Sequence, residues 1–417
     1  MTSSSTAFNQ AVQRNLRRNY LVQLAHGLFG QTGFRLIQAP TFIPAYVYTL
    51  SGSELMVGVA RACQALGQAL TPVLGATLVE HRRRVLSLAL VVGALMRLQV
   101  LGIALAGILL SATWNLVALC LLLGLFGFFL GIQGVVFNFL RAKTIPPEQR
   151  GLLAGLRNAL AGVCASAVAY LGGRYLIEPE VLGNGYAAVF GVAFLLTALG
   201  LSMLALVREP DSPEVRERSG VMARLRDLPA LMRSDRNFTM YFLARALGSM
   251  GRMALPYYVL FAGTRVELTG GTLGILTAAF LIGQTGINLI WGILADRRGF
   301  RIVFNASLLV WILAVLLLMQ TTDLLPLSFA FVALGTGVGG FMLAAQNLVL
   351  EFGSLKNLPM RIAVANSVSE LTTIVGPLLG GVLVMSVSYL PVFWIAIVFK
   401  CAAIVIMTRY VSEPRHR

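Results

Sequence analysis

The chain has 417 residues, of which 57% are apolar and only 12% charged. Soluble domains carry about 25% charged residues, so this sequence lacks the polar surface needed to dissolve in water. The formal net charge of +16 is gathered in alternate loops between apolar runs, with no basic stripe left outside them, which argues against a nucleic-acid partner.

The first nineteen residues carry Arg14, Arg17 and Arg18 without the pattern of a cleaved signal, so the first span is expected to serve as an uncleaved signal. Apolar runs long enough to cross a bilayer follow near 20–48, 55–79, 85–110, 114–140, 151–174, 185–207, 238–262, 270–294, 302–320, 325–350, 361–385 and 390–410. Between them, basic clusters recur in every second loop: Arg82 to Arg84, then Arg141, Lys143 and Arg150, then Arg208 to Arg236, then Arg297, Arg298 and Arg301, then Lys356 and Arg361. Arg174 and Arg265 are exceptions, each with a glutamate nearby (Glu178, Glu267). The positive-inside rule then puts both termini and the central loop in the cytoplasm, as an even number of spans requires.

Residues 208–237 form the longest polar segment, opening Arg208-Glu209-Pro210-Asp211 and passing through Met222 to Leu228 at helical spacing. This is read as a cytoplasmic linker, partly an amphipathic helix on the membrane surface. The expected organisation is a cytoplasmic N-terminus (1–19), a six-helix bundle (20–207), the linker (208–237), a second six-helix bundle (238–411) and a cytoplasmic tail (412–417). Cys63, Cys120, Cys164 and Cys401 lie inside apolar runs at unrelated spacings and read as small buried hydrophobes.

The halves echo one another. Gly67-Gln68 recurs as Gly283-Gln284 and Glu80 as Asp296, both at an offset of 216 residues. Asn158 with Gly172-Gly173 recurs as Asn366 with Gly380-Gly381, at an offset of 208. An ordered series of matches of this kind is the mark of an internal repeat.

The second-half loop is the clearest single motif, Gly292-x-Leu294-Ala295-Asp296-Arg297-x-Gly299-x-Arg301. Its arginines hold the loop on the cytoplasmic side, Asp296 can accept from an arginine or a helix N-terminus, and Gly299 permits a tight reversal. The run resembles the loop signature of the major facilitator superfamily of secondary transporters. Its first-half counterpart, Ala76 to Arg84, is a degraded copy: Ala76 replaces the glycine, Glu80 the aspartate and Arg83 the turn glycine. Pro147-Glu148-Gln149-Arg150-Gly151 also resembles the family's connection into the fifth span. Gly376-Pro377 resembles the glycine-proline motif of drug–proton antiporters, but it lies in the eleventh span instead of the fifth.

That resemblance implies an all-α polytopic membrane protein of twelve transmembrane helices in two pseudo-symmetric bundles. In such a fold the first, fourth, seventh and tenth spans would line a central cavity, flanked by the second, fifth, eighth and eleventh. Polar side chains cluster in several of those spans, where each charge is costly. Gln31, Arg35 and Gln38 share one face of the first; Arg61, Gln64 and Gln68 one face of the second; Arg245 and Arg252, seven apart, one face of the seventh. Gln284 and Asn288 lie in the eighth, Gln346 and Asn347 in the tenth, Asn366 and Glu370 in the eleventh. The functional reading is a cavity whose arginines fork onto an anionic or carboxylate-bearing substrate, with the amides fixing its orientation. The bland reading is snorkelling or helix-tying arginines, and it suits Arg61, near its span's end, and the topogenic Arg157. Arg97 and Lys400 lie in spans the family places at the periphery and receive no role. His26 is expected to pack helices.

Glu370 is the one carboxylate well inside a span, a candidate for loading and releasing a proton and equally a candidate for a structural ion pair. Glu80, Arg84, Asp296, Arg297, Gly299 and Arg301 are the candidate gating-loop residues. No metal cluster, nucleophile–base pair or GxxxxGK[ST] loop is evident, so neither enzymatic chemistry nor a cofactor is expected and an ion gradient would supply energy. The sequence thus predicts a monomeric secondary carrier of a small organic solute, with a broad drug exporter and a non-transporting sensor or lipid-handling protein as the alternatives.

Overall fold

The computed structural model describes residues 3–69, 71–80, 82–211, 236–349, 352 and 358–412; the expected amphipathic helix at Met222 to Leu228 lies outside them. Twelve membrane helices follow in chain order. They are α1 (Ser3–Gln38, resuming as Phe42–Ser51), α2 (Glu54–Ala69 and Thr71–Glu80), α3 (Leu86–Leu109), α4 (Ala112–Thr144), α5 (Pro147–Gly172, closing in a π turn, Gly173–Ile177) and α6 (Gly185–Leu204). The second set is α7 (Arg236–Met250, then 3₁₀ over Gly251–Tyr257, then Tyr258–Gly263), α8 (Gly270–Gly286 and Asn288–Arg298), α9 (Phe300–Gln320), α10 (Leu324–Leu348), α11 (Leu358–Ser386) and α12 (Tyr389–Tyr410).

Local chemistry sets the ends. Pro147 opens α5, where its missing N–H costs nothing. The Asn184 side chain caps α6 by accepting from Ala187 N at 3.2 Å, and Thr269 caps α8 by accepting from Thr272 N at 3.2 Å. Among the described residues nine helices are long and apolar enough to cross a membrane. The first and seventh fall outside that set: α1 carries the glutamine–arginine stripe, and α7 breaks at Gly251; of α11, the described stretch Leu371–Ser386 is apolar.

Packing repeats with the sequence. In the first half α1 packs on α5 and α6, and α4 on α2 and α3; in the second α7 packs on α11 and α12, and α10 on α8 and α9. The halves meet through α2 on α11 and α5 on α8, two pairs that exchange under the same half-to-half correspondence. Both seams require bare backbone. A Cβ at Gly58 would lie 2.5 Å from Pro377 O, and one at Gly173 would lie 2.3 Å from Gly270 O.

Both chain ends of each bundle share one end of the molecule, here the basic end. Asn19 Nδ2 donates to Arg208 O at 3.0 Å, and Asn237 Nδ2 to Ser412 O at 3.3 Å. Hydrogen bonds that join the halves run from the middle to the opposite, far end: Thr277 to Thr41 (2.8 Å), Gly271 N to Glu178 (2.7 Å) and Tyr389 to Glu54 (2.9 Å). At the basic end the described ion pairs stay within one half.

A candidate central site between the halves

α1 and α7 both lose α-helical form near mid-membrane, α1 over Ala39–Thr41 and α7 from Gly251. Pro40 and Pro256 contribute by withholding a backbone donor. Three arginines gather around these breaks. Arg35 of α1 is half-buried; it donates to the Thr285 hydroxyl of α8 and reaches Asn158 O of α5 at 3.4 Å, joining the two halves. Arg61 of α2 donates to Gln64 Oε1 at 2.9 Å and to Gln38 O, the last residue of the first α1 segment, at 3.5 Å. Arg252, in the 3₁₀ stretch of α7, lies within electrostatic reach of Arg61 across the interface between halves. Arg35 and Arg61 thus spend their donors on neutral oxygens.

Arg245, expected with Arg252 on one face of α7 as a substrate contact, takes helix-tying partners. Arg245 is buried against α10 and α11: it donates to Ala345 O at 2.9 Å and Ser369 Oγ at 3.1 Å, which ties helices together. Arg61, read from sequence as an interfacial residue, instead points inward. Thr285, the cross-half partner of Arg35, was missed; its only sequence signal is its place in the glycine-flanked run Gly283-Gln284-Thr285-Gly286.

The remaining candidates divide. Gln64 is buried beside Arg61. Gln31 lies one turn before Arg35 with Oε1 buried and, among the described residues, without a hydrogen-bond partner, as is Asn288 Oδ1. Gln68 and Gln284 are half-buried, and Gln346 is exposed. Asn366 and Glu370 lie on α11, but their side chains, like that of Glu80, fall outside the described residues.

In the second-half loop, Gly299 turns the chain with φ +84° between α8 and α9. Arg301 donates to Met407 O at 3.1 Å and Thr408 O at 2.5 Å, the carbonyls ending α12. Asp296 and Arg297 are exposed. Among the described residues Asp296 pairs with no arginine. In the first-half loop Arg84 pairs with Asp211 at 2.5 Å, and that contact holds the Asp211 carboxyl below its ordinary range. Beside it Lys143 and Glu209 form a buried pair at 2.7 Å that the sequence did not reveal.

Other intramembrane polar groups are structural. Arg97 donates to Thr197 O (2.6 Å), Gly93 O (2.7 Å) and Gln133 Oε1 (3.3 Å), fastening α3 to α6 and α4. Lys400 of α12 is fully buried, donating to Gly251 O at 2.9 Å at the α7 break with its ammonium 4.4 Å from the Trp311 ring centre. His26 Nδ1 meets Gly200 O at 2.8 Å, packing α1 on α6 as expected. All four cysteines are free; Cys401 is exposed rather than buried, and the other three are half-buried.

The sequence profile of the Major Facilitator Superfamily matches residues 24–264 and 238–417. The chain belongs to the major facilitator superfamily. The two matches overlap the two halves, as a duplicated fold requires. Among curated proteins, an uncharacterized MFS-type transporter of Mycobacterium tuberculosis, from strains CDC 1551 and H37Rv, is 29% identical over 155 residues, which is 37% of this chain. The alignment spans only 22% of that relative's length. Among solved structures, a mutant of the nucleoside transporter NupG is similar with TM-score 0.73 at 12% identity, covering 94% of this chain and 100% of that one. A D-xylose-proton symporter is similar with TM-score 0.73 at 13% identity, covering 95% and 98%. At such identities the likeness establishes the fold: an integral membrane protein of two six-helix bundles.

Proposed function

We propose that this superfamily member is a secondary carrier of a small organic solute bearing an anionic group, working by alternating access. The observation that carries this reading is the placement of Arg35 and Arg61 at the junction of the halves, with neutral acceptors among the described residues, and Arg61 within electrostatic reach of Arg252 of the other half. A guanidinium away from water seeks a planar oxyanion it can hold with two parallel bonds. A substrate carboxylate or comparable group would draw the two halves together. The structurally similar nucleoside transporter and D-xylose-proton symporter support a carrier of small polar solutes on this scaffold.

With the basic end in the cytoplasm, bonds at Thr41–Thr277, Glu178–Gly271 and Glu54–Tyr389 seal the outer side, and this conformation is the inward-facing state of the cycle. Glu370, about one turn from Asn366 on α11, is the candidate proton carrier.

Uptake into proteoliposomes under an imposed pH gradient, with a panel of organic acids, tests the proposal. Arg252→Ala is expected to reduce transport at least about tenfold, the size of one lost charge-assisted contact. Glu370→Gln should abolish the response to the pH gradient while leaving substrate exchange. Wild-type rates in both variants would exclude the assigned site.

A further inference from the structure

A second group of cations lies nearer the basic end, outside the central site. Arg157, about 15 Å along α5 at 1.5 Å per residue, is 3% exposed. Its side chain lies flat over Gly27 of α1, where a Cβ would come within 2.1 Å of Nε and 2.5 Å of Cγ. Arg141, half-buried near the end of α4, lies within electrostatic reach of Arg157, and His26 within reach of both. The His26 ring cannot balance them, since its Nδ1 is already committed to Gly200 O.

The contrast with the other buried arginine of this half is decisive. Arg97 is equally buried and divides its guanidinium among three acceptors. Arg141 and Arg157 have their Nε atoms buried without a hydrogen-bond partner, and among the described residues neither makes an ion pair. At 3% exposure Arg157 is too deeply placed for snorkelling to account for it. Helix-tying does not account for it either, because among the described residues it makes no hydrogen bond to another helix. Guanidinium stays charged in proteins, so two of them within electrostatic reach of each other, with no acid paired to either among the described residues, make a region of positive potential suited to an oxyanion. The region is also connected: Gly27, Gln31 and Arg35 follow at intervals of four along one ridge of α1. Arg35 therefore stands about 12 Å from Gly27 along the helix axis.

We propose that Arg141 and Arg157 form a second oxyanion-binding site, between the central site and the basic end, that takes a carboxylate or phosphate group. The site does not depend on what the central site carries. A soluble anion on its way to or from Arg35 and the headgroup of an anionic lipid share the chemistry it recognises.

The test uses the full-length protein in neutral detergent at constant ionic strength, titrated with inorganic phosphate against chloride and followed by thermal unfolding. Phosphate is expected to raise the unfolding temperature saturably in the wild type. Arg141→Gln and Arg157→Gln should each weaken the apparent affinity at least about tenfold. Arg157→Lys should retain part of it, and Arg252→Gln all of it. A parallel series in nanodiscs compares phosphatidylglycerol with phosphatidylcholine; stabilisation by phosphatidylglycerol that both glutamine variants lose assigns the site to a lipid headgroup. Should Arg157→Gln fail to fold, Arg141→Gln and Arg157→Lys carry the comparison. The proposal is overturned if neither phosphate nor phosphatidylglycerol distinguishes the variants from wild type. It is equally overturned if the phosphate response disappears in Arg252→Gln and survives in Arg157→Gln, since the anion would then occupy the central site.

Discussion

Glu209 follows α6 by five residues, and instead of entering solvent with the linker it turns into the protein. Its carboxylate accepts from Val85 N and Leu86 N, each at 2.8 Å, at the start of α3, where a helix presents free donors and positive potential. Lys143 Nζ completes the cluster at 2.7 Å, with the two side chains only 4% and 3% exposed. A buried pair is worth little as a pair, but removing one partner strands the other. Glu209→Ala is therefore expected to cost about 3–5 kcal/mol, read as a fall in thermal unfolding temperature. Adding Lys143→Met should recover most of the loss. If the double variant is no more stable than the single, the stranded-charge explanation is wrong. The sequence concealed this because Glu209 reads as linker acid and Lys143 as a topogenic base; nothing local says that their helices end side by side.

At the scale of elements, the seams between halves rest on close approach of bare backbone. The α5–α8 seam needs Gly173, whose missing Cβ would meet not only Gly270 O but also Gly274 Cα at 2.6 Å, and backbone cannot yield as a side chain can. Gly173→Ala should wedge the far end apart at a cost of about 1–3 kcal/mol, typical of overpacking. Cross-linking of cysteines introduced at the far ends of α5 and α8 would report it, and unchanged cross-linking would refute the wedge.

The same seam ends in the bond from Gly271 N to Glu178. Arg174 and that amide both hold the exposed Glu178 carboxyl below its ordinary range, with Arg174 the larger influence. A carboxyl lowered in the closed form favours closure above its ordinary range, and that contribution is lost as pH falls through the lowered value. Spin-label distances across the far end should lengthen on acidification below about pH 4, the reference range for glutamate. Glu178→Gln should flatten that dependence. A wild-type profile identical to the variant's would show that the bond does not hold the seam.

Element existence was readable from the sequence because a bilayer admits few ways to satisfy a backbone. Apolar length placed twelve helices, and turn chemistry placed Gly299 between α8 and α9. What the polar face of a span meets was not readable: seven-residue spacing put Arg245 and Arg252 on one face of α7, but nothing local says that Ala345 O and Ser369 Oγ take the donors of Arg245.

For the molecule as a whole, composition and the spacing of apolar runs determined a twelve-helix membrane protein, and the ordered matches at Gly67, Glu80 and Asn158 determined that its halves repeat. These properties are written in local chemistry: how long a segment stays apolar, where basic residues recur, which turn a glycine allows. Only the tertiary structure decided which buried arginines find acceptors on neighbouring helices. Arg97 and Arg245 look no different in sequence from Arg157, since each is one cation within an apolar run. Their difference lies in which carbonyls and hydroxyls neighbouring helices bring within about 3 Å, a matter of packing between segments distant in the chain.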